Sequence, residues 1–265
     1  MSAGLLAPQL RRTPISAANP VSKLIAAFII TIAIVLSVDI VSAGVALILE
    51  LALLPISGLA LGPLARRLWP IPIAAVVAGY GTALLAEDSG AMLFQLGPIS
   101  FSEGSLLAGV AITLRALAIA LPGIILMATT DPTDLADGLA QRLKLPARFV
   151  LGALAGFRLM GLLVEEWQSL GLARRARGIE SGRNIFARLK GFLGQAFGLL
   201  VQAIRRATRL SVAMEGRGFG GDRRTWARES RFTSRDFWLI LGAILLAGIS
   251  IAAAVLLGSW NFIGS

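Results

Sequence analysis

The chain has 265 residues, of which 56% are hydrophobic and 15% charged, and its formal net charge is +10. A mean hydropathy of +0.77 excludes an ordinary soluble domain and indicates a protein that crosses the membrane several times. Cysteine and histidine are absent, which excludes disulfides, thiolate or imidazole metal sites and histidine catalysis. The sequence contains no phosphate-binding loop, no nucleophile elbow, and no dinucleotide fingerprint placed between a strand and a helix. We expect no cofactor, and if ATP drives this protein, another chain binds it.

Five apolar segments predict transmembrane helices. They cover residues 24–38, 40–62, 68–86, 104–130 and 237–265. In the last segment Trp238 and Trp260 are 22 residues apart, about 33 Å along a helix, which matches aromatic anchors at the two faces of a core of about 30 Å. The sequence therefore predicts an all-α, polytopic membrane protein with about five transmembrane helices.

Charged residues in the loops predict the orientation of these helices. Basic residues precede the first span and follow the second, whereas the alternate loops are acidic; the basic residues are Arg11, Arg12, Lys23, Arg66 and Arg67, and the acidic ones Asp39, Glu87, Asp88 and Glu103. Since Lys and Arg are concentrated on the cytoplasmic side, we expect the N-terminus inside and, with five spans, the C-terminus outside.

The region 131–236 holds 19 of the 25 Lys and Arg and 10 of the 15 Asp and Glu, a net charge of +9. Two apolar stripes nevertheless run through it at spacings of three and four residues, which places each stripe on one helix face. The first comprises Ala153, Phe157, Met160, Val164, Trp167 and Gly171, and the second Phe186, Leu189, Leu193, Phe197, Leu200 and Ile204. We predict two amphipathic helices at the cytoplasmic face, between transmembrane parts at 1–130 and 237–265.

An arginine followed by a glycine comes after each predicted amphipathic helix. The two tripeptides are Ala176-Arg177-Gly178 and Gly216-Arg217-Gly218. Either one alone fits an ordinary helix terminus, because a cation is favoured at the C-terminal end of the helix dipole and glycine accepts the left-handed conformation there. Two copies at equivalent positions also fit a pair of basic contact points.

Four stretches resemble the transmembrane T component of energy-coupling factor transporters, the ATP-driven importers of vitamins and trace metals. Residues 19–24 (NPVSKL) are similar to the family's N-terminal proline-lysine-leucine signature, and residues 131–139 (DPTDLADGL) to the turn before its cytoplasmic helices. The likeness is strongest over residues 143–179, which contain a leucine-proline start, an arginine, a glutamate pair and Ala-Arg-Gly.

The chain departs from this family's pattern in two places. Residues 213–219 (AMEGRGF) resemble the second arginine motif, but Gly216 stands where the family usually has alanine. The proline common after the arginine of the first helix is missing at Met160 and Gly161. Glycine is about 1 kcal/mol worse than alanine in a helix, so the first departure is expected to loosen the last turn without removing the charge of Arg217.

The resemblance implies a coupling function without catalysis. In that family, two long coupling helices cross beneath the membrane, and the arginine at each tip docks into a groove on one of two ABC-type ATPase subunits. By this likeness Arg177 and Arg217 are the docking residues, and the chain passes ATP-driven motion to a small hydrophobic substrate-binding membrane subunit. The implied location is the cytoplasmic membrane of a bacterium or archaeon.

Glu50 and Arg115 are ionisable residues inside predicted spans. Counted from span starts at 40 and 105, both lie about 15 Å deep, where an isolated charge costs at least about 2.5 kcal/mol. One hypothesis is that they neutralise each other. The alternative, that each faces an unrelated polar group or a water-filled gap, stays open.

Other functions fit the composition less well. A stand-alone transporter needs several ionisable residues along a substrate path. Inside the predicted spans, only Glu50 and Arg115 are candidates for such residues. A lipid-anchored scaffold with a basic cytoplasmic face would use its arginines on anionic lipid; that interpretation suits Arg223, Arg224, Arg228, Arg231 and Arg235. A nucleic-acid partner is not expected despite a pI of about 11.5, because the basic helices present no aromatic stacking platform.

Overall fold

The computed structural model describes residues 15–37, 39–58, 68–86, 89–96, 99–178, 185–219, 221, 226 and 228–260, with the backbone alone for residues 93–101. Its helices are α1 (Pro20–Leu36), α2 (Ile40–Leu53, continued by a 3₁₀ turn, Leu54–Ser57), α3 (Pro70–Leu85), α4 (Glu103–Thr129), α5 (Pro132–Gln141), α6 (Ala147–Ala176), α7 (Ile185–Gly216) and α8 (Ser234–Leu256). The predicted all-α, polytopic class is confirmed. The structure also contains a small antiparallel pair of strands, β1 (Met92–Leu96) and β2 (Ile99–Ser102). These strands were not predicted from the sequence.

Four described helical segments are long and apolar enough to cross a membrane: Ile40–Ser57, α4, α6 and α8. Two helices that were predicted to span are shorter, since α1 has 17 residues and α3 has 16. The apolar stripe of α6 predicted a helix at the membrane surface, yet α6 meets both criteria for a span, because Arg158 is the one charged residue between Arg148 and Glu165. Arg11, Arg12, Arg66 and Arg67, which carried much of the predicted orientation, lie outside the described residues.

The described residues form two compact units. One contains the residues up to Gly138 together with those from Ser230 onward, and the other contains Leu139–Glu229. The predicted division of the chain at residues 130 and 236 stays a prediction.

Small side chains let the helices of the first unit approach closely. Ala46 of α2 and Ala118 of α4 are fully buried, in a cluster with Ile34 of α1 and Leu246 of α8. α3 packs against α4 through glycine, since a Cβ atom on Gly109 would lie 2.6 Å from the Gly79 carbonyl oxygen. Such contacts between small residues are the usual means of close packing between membrane helices.

A buried carboxylate holds the first turns of α1 and α8 together. Asp236 is 0% exposed, and its Oδ1 accepts hydrogen bonds from the Asn19 backbone N–H at 2.6 Å and from Ser22 Oγ at 2.7 Å. Its Oδ2 accepts from the backbone N–H of Thr233 at 2.6 Å and from the Thr233 hydroxyl at 2.9 Å. The side chain of Asp236 therefore caps α8 and binds the start of α1 at the same time.

Lys23 adds α4 to this polar cluster. Its Nζ donates to the Thr129 carbonyl oxygen at 2.8 Å and to the Ser16 carbonyl oxygen at 3.2 Å. Thr129 is the last residue of α4, so the ammonium satisfies a carbonyl that has no partner inside the helix and favours the negative end of its dipole. Three helices of the first unit thus meet at one set of buried polar contacts.

We predict that Asp236→Ala lowers the unfolding free energy by about 2 to 5 kcal/mol, because the backbone N–H groups of Asn19 and Thr233 lose their acceptor. Thermal unfolding in mild detergent, followed by tryptophan fluorescence, measures the effect. Glu215→Ala is the matched control, since that acidic residue is exposed on α7. Equal midpoints for the two variants would contradict a structural role for the Asp236 carboxylate.

Candidate functional site

α6 ends at Ala176 with a left-handed glycine one residue further on. Arg177 is the C-cap residue, and its backbone N–H bonds to the Ala173 carbonyl oxygen at 3.2 Å. Gly178 has a φ of 72°, and its N–H bonds to the Arg175 carbonyl oxygen at 2.9 Å. The backbone turns out of the helix at Gly178, as a residue without Cβ permits.

α7 ends in the same way. Gly218 has a φ of 73°, and its N–H bonds to the Glu215 carbonyl oxygen at 2.9 Å, while the Phe219 N–H bonds to the Met214 carbonyl oxygen at 2.9 Å. These two bonds make a Schellman motif with Arg217 as the C-cap. The glycine-terminated helix ends predicted from both tripeptides are confirmed, and the two arginines occupy the same position in their helix ends.

The side chains of Arg177 and Arg217 are exposed. Within the described part of the chain, neither guanidinium has a hydrogen-bond or ion-pair partner. Arg206 of α7 differs, because it forms an ion pair with Glu166 of α6. Both terminal arginines can therefore offer a full fork of N–H donors to another molecule.

α6 and α7 lie antiparallel to each other within the second unit. Near one end Gln195 Nε2 donates to the Trp167 carbonyl oxygen at 2.7 Å, and the rings of Trp167 and Phe192 are 5.2 Å apart. Near the other end Arg148 and Phe219 line a common groove. Because the helices have 30 and 32 residues, each is about 45 Å long, and the two arginine tips lie at opposite ends of the pair.

Apolar side chains of these two helices are largely uncovered. Among the described residues of α6 and α7, none is buried. The predicted stripe on α7 is exposed throughout, at 53 to 82% per side chain; its members are Phe186, Leu189, Leu193, Phe197, Leu200 and Ile204. On α6, Phe157, Met160 and Val164 are exposed, and Trp167 packs on Phe192. Both apolar faces need cover from lipid or from another protein.

The structure does not form the hypothesised pair of Glu50 and Arg115. Neither oxygen of Glu50 has a hydrogen-bond partner among the described residues, and Arg115 donates to the Val35 carbonyl oxygen near the end of α1. α4 has 27 residues, about 40 Å, so it exceeds the bilayer core, and counting from its start placed Arg115 too deep. Glu50 instead shares a cavity with Pro122, seven residues further along α4.

Sequence reasoning missed the roles of Asp236 and Lys23. The net charge of the basic region includes Asp236, and Lys23 entered the prediction only through the loop charges and the signature of residues 19–24. Local sequence patterns indicated both helix starts. Thr233 lies three residues before Asp236, and Asn19 lies directly before Pro20. Both patterns are typical of the beginning of a helix. No group of three Asp or Glu in the described residues could hold a metal ion.

Fold and site together define a multi-pass helical membrane protein whose two longest helices end in exposed arginines. A family model described as "Cobalt transport protein", CbiQ, matches residues 11–226. The "Energy-coupling factor transporter transmembrane protein EcfT" of Bacillus subtilis is 33% identical over 175 residues, 63% of this chain and 66% of that protein. The protein of the same name from Bacillus selenitireducens is 28% identical over 249 residues, 91% of this chain and 92% of its own length.

The protein named EcfT from Lactococcus lactis is 32% identical over 173 residues, 62% of this chain and 65% of that protein. The matches to the Bacillus subtilis and Lactococcus lactis proteins thus span just under two thirds of their length. With 216 residues inside the bounds of the family model, the chain belongs to this family, the transmembrane T components of energy-coupling factor transporters.

Glycine substitutions test the local geometry of the two helix ends. Gly178→Ala and Gly218→Ala should each destabilise the preceding turn by about 1 kcal/mol, because both positions are left-handed. Gly216→Ala should stabilise it by about 1 kcal/mol, since this glycine is helical and an added Cβ has nothing within 4 Å. Amide hydrogen exchange in the last turn should become faster in the first two variants and slower in the third. A change of the same sign at 216 and 218 would contradict the assigned geometry.

Proposed function

We propose that this chain is the non-catalytic coupling subunit of an energy-coupling factor importer. It transmits ATP-driven motion from two cytoplasmic ABC-type ATPase subunits to a separate substrate-binding membrane subunit, which takes up a vitamin or a trace metal. The observation that carries the proposal is the pair of matching helix ends, each with an exposed arginine that has no partner in the described chain. The names of the relatives support membership of such a complex.

Electrostatics at a helix C-terminus explains why arginine is required there. The last carbonyl groups carry a partial negative charge of roughly half an elementary charge, which alone would repel an acidic groove. A guanidinium at the C-cap reverses that sign and adds five N–H donors in a planar fork, which can bind a carboxylate with two parallel hydrogen bonds. Arg177 and Arg217 are suited to acidic grooves for this reason.

Two separated tips suit two separate ATPase subunits. Because α6 and α7 are antiparallel and about 45 Å long, one globular partner at each end is compatible with the geometry. The uncovered apolar faces between the tips suit contact with the bilayer and with the small hydrophobic substrate-binding subunit. Motion imposed at either tip would be carried along a continuous helix to those faces.

The orientation is part of the proposal. We infer that the N-terminus, α6 and α7 are on the cytoplasmic side of a bacterial or archaeal membrane, and that α1, α2, α3, α4 and α8 cross it. The concentration of Lys and Arg in residues 131–236 supports this placement.

A reporter fused after Ser265 tests the number of crossings. Five crossings place the fusion outside, so alkaline phosphatase should be active and green fluorescent protein dark. A fusion before Met1 is the control and should give the reverse pattern. If only the four segments that satisfy both length and hydropathy cross, the two ends lie on the same side, and a fluorescent fusion after Ser265 would overturn the proposed topology.

Arginine substitutions test docking. Arg177→Ala and Arg217→Ala should each weaken binding of the ATPase subunits by on the order of thirtyfold, because a partly buried carboxylate in the groove loses its partner. The double variant should lose more than either single variant. Arg177→Lys should recover binding incompletely, since lysine keeps the charge and loses the planar fork. Co-purification of the ATPase subunits and substrate uptake measure both effects.

Arg209→Ala is the matched control, because Arg209 is exposed on the same helix away from its tip. If the terminal arginines only complement helix dipoles, each substitution affects local stability by less than about 1 kcal/mol and lysine is a full substitute. Wild-type uptake with full ATPase recovery in the double alanine variant would contradict the coupling role.

A further inference from the structure

A cavity of about 460 Å³ lies inside the first unit, between α1, α2, α4 and α8. Small residues on the facing helices leave this space, among them Ala26 on α1 and Gly242 on α8. The volume falls in the range of pockets that hold small-molecule ligands, roughly 300 to 1,000 Å³.

Glu50 lines the cavity and carries a buried carboxyl group. The residue is 4% exposed, and neither Oε1 nor Oε2 has a hydrogen-bond partner within the described residues. Buried polar groups almost always have partners, and leaving one unpaired is unfavourable. A molecule that brings a hydrogen-bond donor into the cavity would satisfy Glu50.

The other polar groups of the cavity wall do not supply that donor. The ammonium of Lys23 already donates to the carbonyl oxygens of Ser16 and Thr129. Arg235 is exposed at the rim, and no contact between its guanidinium and Glu50 occurs in the described structure. The remaining wall is mainly aliphatic.

The rim of the cavity indicates that its occupant comes from the membrane. Leu53, Ile56 and Trp238 line the cavity and are 45%, 50% and 67% exposed. Exposed apolar side chains on helices that cross the bilayer face lipid, and tryptophan favours the interface between lipid and water. A ligand that enters past these residues has to dissolve in the bilayer.

We propose that this cavity binds a membrane-soluble amphiphile with an apolar body and one hydrogen-bond-donating head, a hydroxyl or a protonated amine, which bonds to Glu50. The body fills the space between α1 and α8 and extends toward Trp238.

Quenching of Trp238 fluorescence by brominated probes tests the proposal. The full chain is reconstituted in phosphatidylcholine nanodiscs, and ω-bromododecanol, ω-bromododecylamine or bromododecane is added at equal mole fractions. Either headed probe, or both, should half-saturate the quenching at about a tenfold lower mole fraction than bromododecane, because one hydrogen bond to a buried carboxyl group is gained. The stronger probe identifies the head as hydroxyl or amine. Trp238→Phe removes the saturable signal and so assigns it.

Three variants make the test specific to the cavity. Glu50→Leu should abolish the preference for headed probes, and Gly242→Leu should block saturable quenching by filling the space. Gly248→Leu is the control on the same helix: an added Cβ meets nothing within 4 Å at either glycine, and Gly248 does not line the cavity. Bromododecane quenching equal to both headed probes, or a preference that survives Glu50→Leu, overturns the proposal.

Discussion

The carboxylate of Asp236 joins the first turns of α1 and α8, and the arrangement of the helices in the first unit depends on that contact. Asn19 and Ser22 bind it from α1, and Lys23 extends the cluster to the last carbonyl of α4. Asn19 Nδ2 also donates to Ser230 Oγ at 2.8 Å, so the same cluster holds the point where the chain re-enters the first unit. Removing one acceptor would leave several buried donors unpaired at once.

The two long helices differ from the first unit in how they are stabilised. α6 and α7 bury no described residue and contact each other through a few side chains, such as Trp167 against Phe192. Helices with so little internal cover derive their stability from lipid and from partner proteins. That dependence suits a coupling element, because its packing changes when its partners move, whereas the polar cluster keeps the ends of α1, α4 and α8 together.

Local patterns in the sequence were sufficient for the glycine-terminated ends of α6 and α7. Arginine before glycine predicted a left-handed C-terminus at Gly178 and Gly218, because that geometry depends on neighbours in the chain. Contacts between distant residues were not predictable in the same way. The depth count for Arg115 failed because α4 extends beyond the bilayer core, and the Asp236 cluster joins residues more than 200 positions apart. The residues 19–24 that resemble the family's signature include three members of that cluster.

Cross-linking tests the central claim, that each arginine tip contacts a different ATPase subunit. The chain contains no cysteine, so Ala176→Cys and Gly216→Cys introduce reactive positions directly before each arginine and keep both arginines, with Arg209→Cys as the control. A maleimide–benzophenone cross-linker attached at each cysteine and irradiated in the assembled complex should join each tip variant to one ATPase chain and the double variant to two. No adduct at either tip, or a double variant that never carries more than one ATPase chain, would contradict the account.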